Sequence, residues 1–303
     1  MERVTIVGMG ALGILYGDRL VEALGPDRVR FLADGARLAR YRERGAWCNG
    51  HRCDFRFSDG SDGPAELLIF AVKATALEEA IELARPCVDD DTVIVSVLNG
   101  VSSEEILSQA FGPEKVLYTV VQGMDAVREE DRLTCVHPGE IFLGVPEEDY
   151  FDRGEKLAAT AALLRRTGLP VTVEPDILHR MWCKFMINVG VNQVCMAYEV
   201  PYGAVQVPGA LRDTMVAAMN EARKVSACQG VLVTQRDLAH ALTIIDGLAP
   251  EAMPSMRQDG LAHRRTEVDL FAGTVVDLAQ CYGMSVPVNA MLLEKIRGME
   301  AGW

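Results

Sequence analysis

Three polar side chains that could act on a carbonyl group are set into one apolar segment. Lys184, Asn188 and Asn192 follow one another at four-residue intervals within Met181–Tyr198, which is otherwise almost wholly apolar. At 3.6 residues per turn, this spacing stacks them on one face of a helix. A buried lysine usually has a partner or a task, and a charged lysine can protonate a carbonyl oxygen. The pattern predicts a ligand-facing helix or a core helix whose polar groups are satisfied locally.

The composition is that of a globular protein without a strongly basic surface. The 303 residues are 49% hydrophobic and carry a formal net charge of −13, which disfavours nucleic acid or an anionic membrane as a partner. The eight cysteines include no C-x-x-C motif, and the closest pair, Cys48 and Cys53, lacks a second pair. We therefore predict no metal site and reduced thiols. With no signal segment and only short apolar runs, we expect a cytoplasmic protein with no membrane partner.

The start of the chain carries a dinucleotide fingerprint. Val4–Val7 is strand-like, runs into a G-x-G-x-x-G motif and is followed by a helical pattern, the context found in nucleotide-binding βαβ units. The glycines permit a tight turn, approach of the backbone to a pyrophosphate and close packing of helix on strand. The alternative is a turn that uses glycines for ordinary reasons. The predicted cofactor-binding residues are Gly8, Gly10, Ala11, Leu12 and Gly13.

Polar residues follow the next three strand-like runs. Asp34 could accept hydrogen bonds from a ribose and repel a 2′-phosphate, or it could be a helix N-cap. Arg37 and Arg40 could still reach a phosphate. Lys73 and Asn99 would point into the ligand crevice of a parallel sheet; the alternatives are a solvated strand end and a plain turn.

Strand-like runs continue to residue 173 and then stop. Val116–Gln122, Arg132–Val136 and Glu140–Gly144 are closely spaced, which predicts an antiparallel edge of the sheet. Beyond Pro175 the predicted helices are 176–199, 209–230, 234–248, 261–281 and one after Pro287. We therefore predict an α/β dinucleotide-binding domain over residues 1–174 and an all-α domain over residues 175–303.

The helical half contains two further candidates. Ser255, in the predicted loop Pro254–Asp259, could donate to a substrate carboxylate. Glu267, in the predicted helix 261–281, could be the carboxylate partner of Lys184. Taken singly, Ser255 has a simpler interpretation as a turn or cap residue, and Glu267 as a solvated helix residue.

Together these motifs resemble the ketopantoate reductase (2-dehydropantoate 2-reductase) family over nearly the whole chain. The resemblance rests on V-G-M-G-A-L-G, Asn99-Gly100, the K-x-x-x-N-x-x-x-N helix, and P-S-M-x-x-D followed by R-x-T-E. It implies an N-terminal Rossmann domain, an all-α C-terminal domain and an active site in the cleft between them. It also implies NAD(P)H-dependent reduction of a 2-keto acid, ketopantoate to pantoate, in pantothenate and coenzyme A biosynthesis.

The resemblance further implies roles for individual residues. Lys184 would be the general acid, and Glu267 would contact the region of the substrate hydroxyl. Lys73 would lie near the cofactor and the ketone, and Asn99 would be shared by cofactor and substrate. The implied substrate-binding residues are Asn99, Asn188, Asn192 and Ser255.

One departure from the family leaves alternatives open. Members that use NADPH typically carry an arginine where this chain has Asp34, so NADH is slightly preferred over NADPH. An NAD-dependent 2-hydroxyacid dehydrogenase acting on branched 2-keto acids is one alternative. A non-catalytic dinucleotide-binding sensor is another, although a sensor needs neither Lys184 nor Glu267. Proteins like 6-phosphogluconate dehydrogenase are less similar, because their glycine-rich lead-in is absent before Lys184. We expect a small-molecule 2-keto acid as the partner and allow a homodimer.

Overall fold

The computed structural model describes residues 2–303, which fold as two compact units. One unit ends at Ile177 and the other covers Leu178–Trp303. Among the described residues, every strand lies in the first unit, and the second is built from helices. The predicted fold class, an α/β unit before an all-α unit, is confirmed.

The first unit alternates strands with helices. Its strands are β1 (Val4–Val7), β2 (Val29–Leu32), β3 (Trp47–Cys48), β4 (His51–Arg52), β5 (Arg56–Ser58), β6 (Leu67–Phe70), β7 (Val93–Ser96), β8 (Val116–Met124), β9 (Val127–Glu129), β10 (Arg132–Thr134), β11 (Pro138–Gly144) and β12 (Val171–Val173). Its helices are α1 (Ala11–Leu24), α2 (Gly35–Arg44), α3 (Leu77–Ala84), α4 (Ser103–Phe111) and α5 (Tyr150–Arg165).

The main sheet has the order β12, β11, β8, β7, β6, β1, β2, β5. The strands from β8 to β5 in that order are parallel, whereas β11 runs antiparallel to β8. The antiparallel pairing confirms the predicted edge. From β1 the chain adds β2 and β5 on one side and then β6, β7 and β8 on the other. The strand order therefore reverses direction beside β1, and sheets of this kind bind ligands at the carboxyl ends of the strands at that point.

Both faces of the parallel strands are buried, which explains their continuous apolar sequences. Every residue of β1, β6 and β7 is buried. Along β6, Leu67 and Ile69 join an apolar cluster with residues of α1 and α5, whereas Leu68 and Phe70 join a cluster with residues of α3 and α4. Because successive side chains of a strand point to opposite faces, the sheet is the middle layer of three.

A second sheet has the order β4, β3, β10, β9. It contains Arg132–Thr134, so the assignment of this run to the edge of the main sheet is wrong. The reason is local pairing: β9 and β10 form a hairpin, and Arg132 of β10 pairs with Trp47 of β3. With two residues each, β3 and β4 are too short to show a periodicity in the sequence.

The second unit is organised around its first helix. Its helices are α6 (Ile177–Ala197), α7 (Gly203–Gln206), α8 (Ala210–Cys228), α9 (Gln235–Asp246), α10 (Ser255–Leu261), α11 (Thr274–Cys281) and α12 (Pro287–Glu300). The predicted helices 176–199, 209–230 and 234–248 and the last one, after Pro287, are confirmed. No helix within residues 2–303 combines the length and apolar character needed to cross a membrane.

Two local predictions in this unit are wrong. The predicted loop Pro254–Asp259 is largely helical, because Pro254 has the extended backbone of an N-cap and α10 begins at the next residue. The predicted helix 261–281 is interrupted: His263 has a φ of 48°, and a π-helical turn, Asp269–Gly273, precedes α11. Glu267 therefore lies in the segment before the helix.

Candidate active site

The glycine turn after β1 forms a close-packed cradle. Gly8 has a φ of 101°, and a Cβ on it would lie 2.6 Å from the carbonyl oxygen of Ala71. A Cβ on Gly13 would overlap the carbonyl oxygen of Gly8. Only glycine fits at these two positions, so α1 begins directly against the turn, and its first turn carries uncharged residues only. A helix N-terminus held this way suits a pyrophosphate, which supports the predicted dinucleotide site.

The other candidates of the first unit lie at one edge of the main sheet. Asp34 follows β2 by two residues, and Lys73 and Asn99 follow β6 and β7 by three residues each. Because these strands are parallel to β1, their carboxyl ends share the edge that carries the glycine turn. Asp34 and Lys73 are exposed and Asn99 is half-buried, so polar groups of both charges face one ligand edge.

Asp34 is at the N-cap position of α2, as the simpler interpretation requires, but no capping bond from its side chain is present among the described residues. One turn along α2, Arg37 donates a hydrogen bond to the Glu79 carboxylate at 2.9 Å. The basic residue closest in sequence to Asp34 is thus paired with an acid of α3.

In the second unit, α6 presents the lysine and the two asparagines on one face. Lys184 and Asn188 are half-buried, and Asn192 is 6% exposed. The side-chain amides of Asn188 and Asn192 make no hydrogen bond to any other residue in the range 2–303. These amides are therefore available to a ligand or to water, which favours the ligand-facing helix over the core helix with locally satisfied polar groups.

Ser255 and Glu267 lie on segments that pack against α6. A Cβ on Gly260 of α10 would overlap the Met196 side chain of α6, which shows how closely these helices approach. Ser255, at the exposed first position of α10, is held by that packing. The carbonyl of Glu267 accepts a bond from Phe271 N–H at 3.0 Å, and the Phe271 ring lies 6.2 Å from that of Phe185, next to Lys184.

Two interactions that sequence reasoning missed position the segment around Glu267. Asp259, 7% exposed, accepts a bond from Arg264 Nε at 3.0 Å. Thr266 donates from its hydroxyl and its backbone N–H to the Glu300 carboxylate, at 2.6 and 2.8 Å. These bonds explain the acidic and threonine positions in the P-S-M-x-x-D and R-x-T-E motifs, and α12 thereby fixes the residue before Glu267.

The buried face of the second unit holds a polar network that the sequence also left unrecognised. Glu221 accepts bonds from the backbone N–H groups of Val288 and Asn289, at 3.0 and 2.8 Å, and from the Asn289 amide at 2.8 Å. Gln193 donates to Asn289 at 3.1 Å. The periodicity of α8 does not distinguish a buried glutamate such as Glu221 from one on the solvated face of the helix. This network ties α6, α8 and α12 together.

Comparison with known proteins gives matches over both units. Residues 4–148 match the family described as Ketopantoate reductase PanE/ApbA, and residues 176–300 match Ketopantoate reductase PanE/ApbA C terminal. The 2-dehydropantoate 2-reductase of Archaeoglobus fulgidus is 30% identical, with 100% of this chain and 99% of that protein covered.

Two solved structures share the fold. The 2-dehydropantoate 2-reductase of Geobacter metallireducens superposes with a TM-score of 0.84 at 24% identity, covering 98% of this chain and 99% of that chain. D-mandelate dehydrogenase, in a ternary structure with NADH and anilino(oxo)acetate, superposes with a TM-score of 0.87 at 22% identity, covering 99% and 98%.

Proposed function

Because this chain belongs to the ketopantoate reductase family, we propose that it is an NAD(P)H-dependent oxidoreductase that reduces 2-dehydropantoate to pantoate. The observation that carries the proposal is the face of α6. Lys184 stands there beside two amides that bond to no other residue in the described chain. Donors of this kind suit the carbonyl and carboxylate oxygens of a 2-keto acid.

Each candidate residue has a defined task in this proposal. The main chain of Gly8–Gly13 and the N-terminus of α1 hold the pyrophosphate, and the reduced nicotinamide, when bound, supplies the hydride. Lys184 protonates the carbonyl oxygen as negative charge develops on it, a role typically worth ~10²–10⁴ in rate. Glu267 favours the charged form of that lysine. The remaining residues position cofactor and keto acid: Lys73, Asn99, Asn188, Asn192 and Ser255.

We propose NADH as the preferred cofactor. The exposed carboxylate of Asp34, at the carboxyl end of β2, would accept the ribose hydroxyls and repel a 2′-phosphate. The ion pair of Arg37 with Glu79, at 2.9 Å, supports the same preference. It engages a guanidinium group that could otherwise bind the 2′-phosphate of NADPH.

The same carboxylate favours a second candidate function, an NADH-dependent dehydrogenase acting on a different 2-hydroxy acid. The size of the substrate pocket would decide between the two. In either case we propose a cytoplasmic location, supported by eight free cysteines. A homodimer remains a prediction, and measurement of the molar mass by light scattering would test it.

The deciding experiment is a steady-state assay of both reduced cofactors against a panel of 2-keto acids, including ketopantoate, 2-ketoisovalerate and phenylglyoxylate. Ketopantoate should give the highest kcat/KM. A different keto acid preferred by more than about tenfold, or 1.4 kcal/mol, would establish the second candidate instead. Cofactor binding without turnover across the panel would indicate the non-catalytic sensor.

A further inference from the structure

Four side chains of metal-binding type meet where α1 faces the β3–β4 hairpin. This hairpin cluster consists of Asp18, Cys48, His51 and Cys53. The ligand atoms of Asp18, His51 and Cys53 all lie within 4.8 Å of one another. His51 Nε2 is 2.9 Å from Asp18 Oδ1. Cys48 lies next to this group, because it pairs with His51 across the hairpin.

The hairpin presents its donors on one face. Cys48 pairs directly with His51 across the ladder. Asn49 and Gly50 form the two-residue turn with φ values of 46° and 87°, typical of a type I′ hairpin. Directly paired residues, and residues two apart in one strand, project from the same face. Cys48, His51 and Cys53 therefore face α1 together.

The turn is anchored from outside the hairpin. The Asn49 side chain accepts a bond from Cys135 N–H at 2.8 Å and donates to the Cys135 carbonyl at 3.0 Å. Cys53 N–H donates to the Ala46 carbonyl at 2.9 Å. These bonds hold the donors in place before any ligand arrives, which is how a built site differs from a chance cluster.

We propose that Asp18, His51 and Cys53, with Cys48 as the fourth donor, form a Zn²⁺ site that fastens the hairpin to α1. Thiolate, imidazole and carboxylate donors in a four-coordinate arrangement match zinc. Each coordinating thiol releases its proton to solvent on binding. Four protein donors leave no position for substrate, so the ion is structural. From the sequence we predict no metal here, because Cys48 and Cys53 lack a second pair and Asp18 belongs to a different element.

A second group, His179, Cys183 and Asp237, is weaker and serves as a matched control. The Asp237 carboxylate already accepts bonds from the Thr234 backbone and hydroxyl, at 2.7 and 2.6 Å, in the capping box of α9. One of its two oxygens, Oδ2, is therefore committed to the helix terminus.

The test is metal analysis of the full chain purified without chelator, followed by replacement of zinc with Co²⁺. We expect close to one zinc per chain and a cobalt spectrum with thiolate charge-transfer and tetrahedral d–d bands. Both should be lost in Cys53→Ser and His51→Ala. His51 is exposed, so its variant should stay folded, as circular dichroism would verify. His179→Ala should retain the metal and the bands.

Three results would overturn the proposal. They are metal content near zero after dialysis against zinc, a charge-transfer band that survives both Cys53→Ser and His51→Ala, and loss of the band only in His179→Ala. Thiol titration of the unfolded protein adds an independent check. Six reactive thiols in place of the eight in the sequence would indicate a disulfide where we place the ion.

Discussion

The two units present their candidate site residues by different means. In the first unit the candidate site combines a main-chain glycine turn with polar residues that follow the ends of adjacent parallel strands, from Gly8 to Asn99. In the second, it is made of side chains on α6 and on segments as far away in sequence as Glu267, 83 residues after Lys184 (267 − 184). The glycine turn requires residues without a Cβ at fixed positions in the sequence. The side chains around Lys184 come together only through the packing of helices.

The largest expected effect is on the side-chain site. Lys184→Ala should lower kcat/KM for ketopantoate by ~10²–10⁴, because the proton donor is removed while the cofactor cradle is intact. Lys224→Ala, an exposed lysine of α8, is the control and should behave like the wild type. A kcat/KM for Lys184→Ala within about threefold of wild type would remove this residue from the proposed acid role.

The next contrast is between two close-packed glycines, one in each unit. Gly13→Ala drives a Cβ into the backbone of Gly8, whereas Gly190→Ala meets the Met219 side chain, with Cγ overlapping the new Cβ and Sδ at 2.8 Å. A methionine can rotate and a backbone carbonyl cannot, so Gly13→Ala should cost roughly 1–3 kcal/mol in unfolding free energy and Gly190→Ala less.

Urea denaturation and NADH fluorescence titration measure both parts of this contrast. Gly13→Ala should also lose affinity for NADH, and Gly190→Ala should keep it. If Gly190→Ala proved the more costly change, or if Gly13→Ala bound NADH normally, the main-chain account of the first unit would fail.

Within the second unit, two buried asparagines are expected to differ in their roles: Asn289 in stability and Asn192 in substrate binding. Asn289 bonds to Glu221, Gln193 and the Ala218 carbonyl. Asn289→Ala should therefore cost about 1–3 kcal/mol of stability. The Asn192 amide has no partner within residues 2–303, so Asn192→Ala should leave the melting temperature unchanged or higher.

Kinetics complete that comparison. Asn192→Ala should lower kcat/KM by about tenfold, the loss of one hydrogen bond to substrate, while Asn289→Ala should change it little at temperatures where the variant is folded. An Asn192→Ala variant with full activity and reduced stability would make this residue structural.

The last comparison concerns cofactor choice in the first unit. Asp34→Arg should raise the ratio of NADPH to NADH efficiency by about tenfold or more, since a repelling charge becomes an attracting one. Glu79→Gln, which releases Arg37, should act in the same direction more weakly. Glu78→Gln, an exposed neighbour on α3, is the control. At least tenfold better wild-type efficiency with NADPH would contradict the proposed preference.

Sequence reasoning succeeded where the signal is local. The buried strands, the glycine turn and the long helices of the second unit all have patterns that repeat within a few residues. It failed for β3 and β4, which are too short for a pattern, and for Pro254 and Glu267. At Pro254 a helix-starting proline looks like a loop residue, and near Glu267 the Thr266–Glu300 bond holds an apparently helical segment outside the helix.

The sequence by itself determined the order of an α/β unit and an all-α unit, the glycine cradle and the shared face of Lys184, Asn188 and Asn192. Only the tertiary structure decided that α10 and the segment at Glu267 pack on α6 and that a hairpin brings a cysteine and a histidine to Asp18. The reason is physical: periodicity and backbone preference act over a few residues, whereas contacts between distant segments follow from how whole surfaces pack.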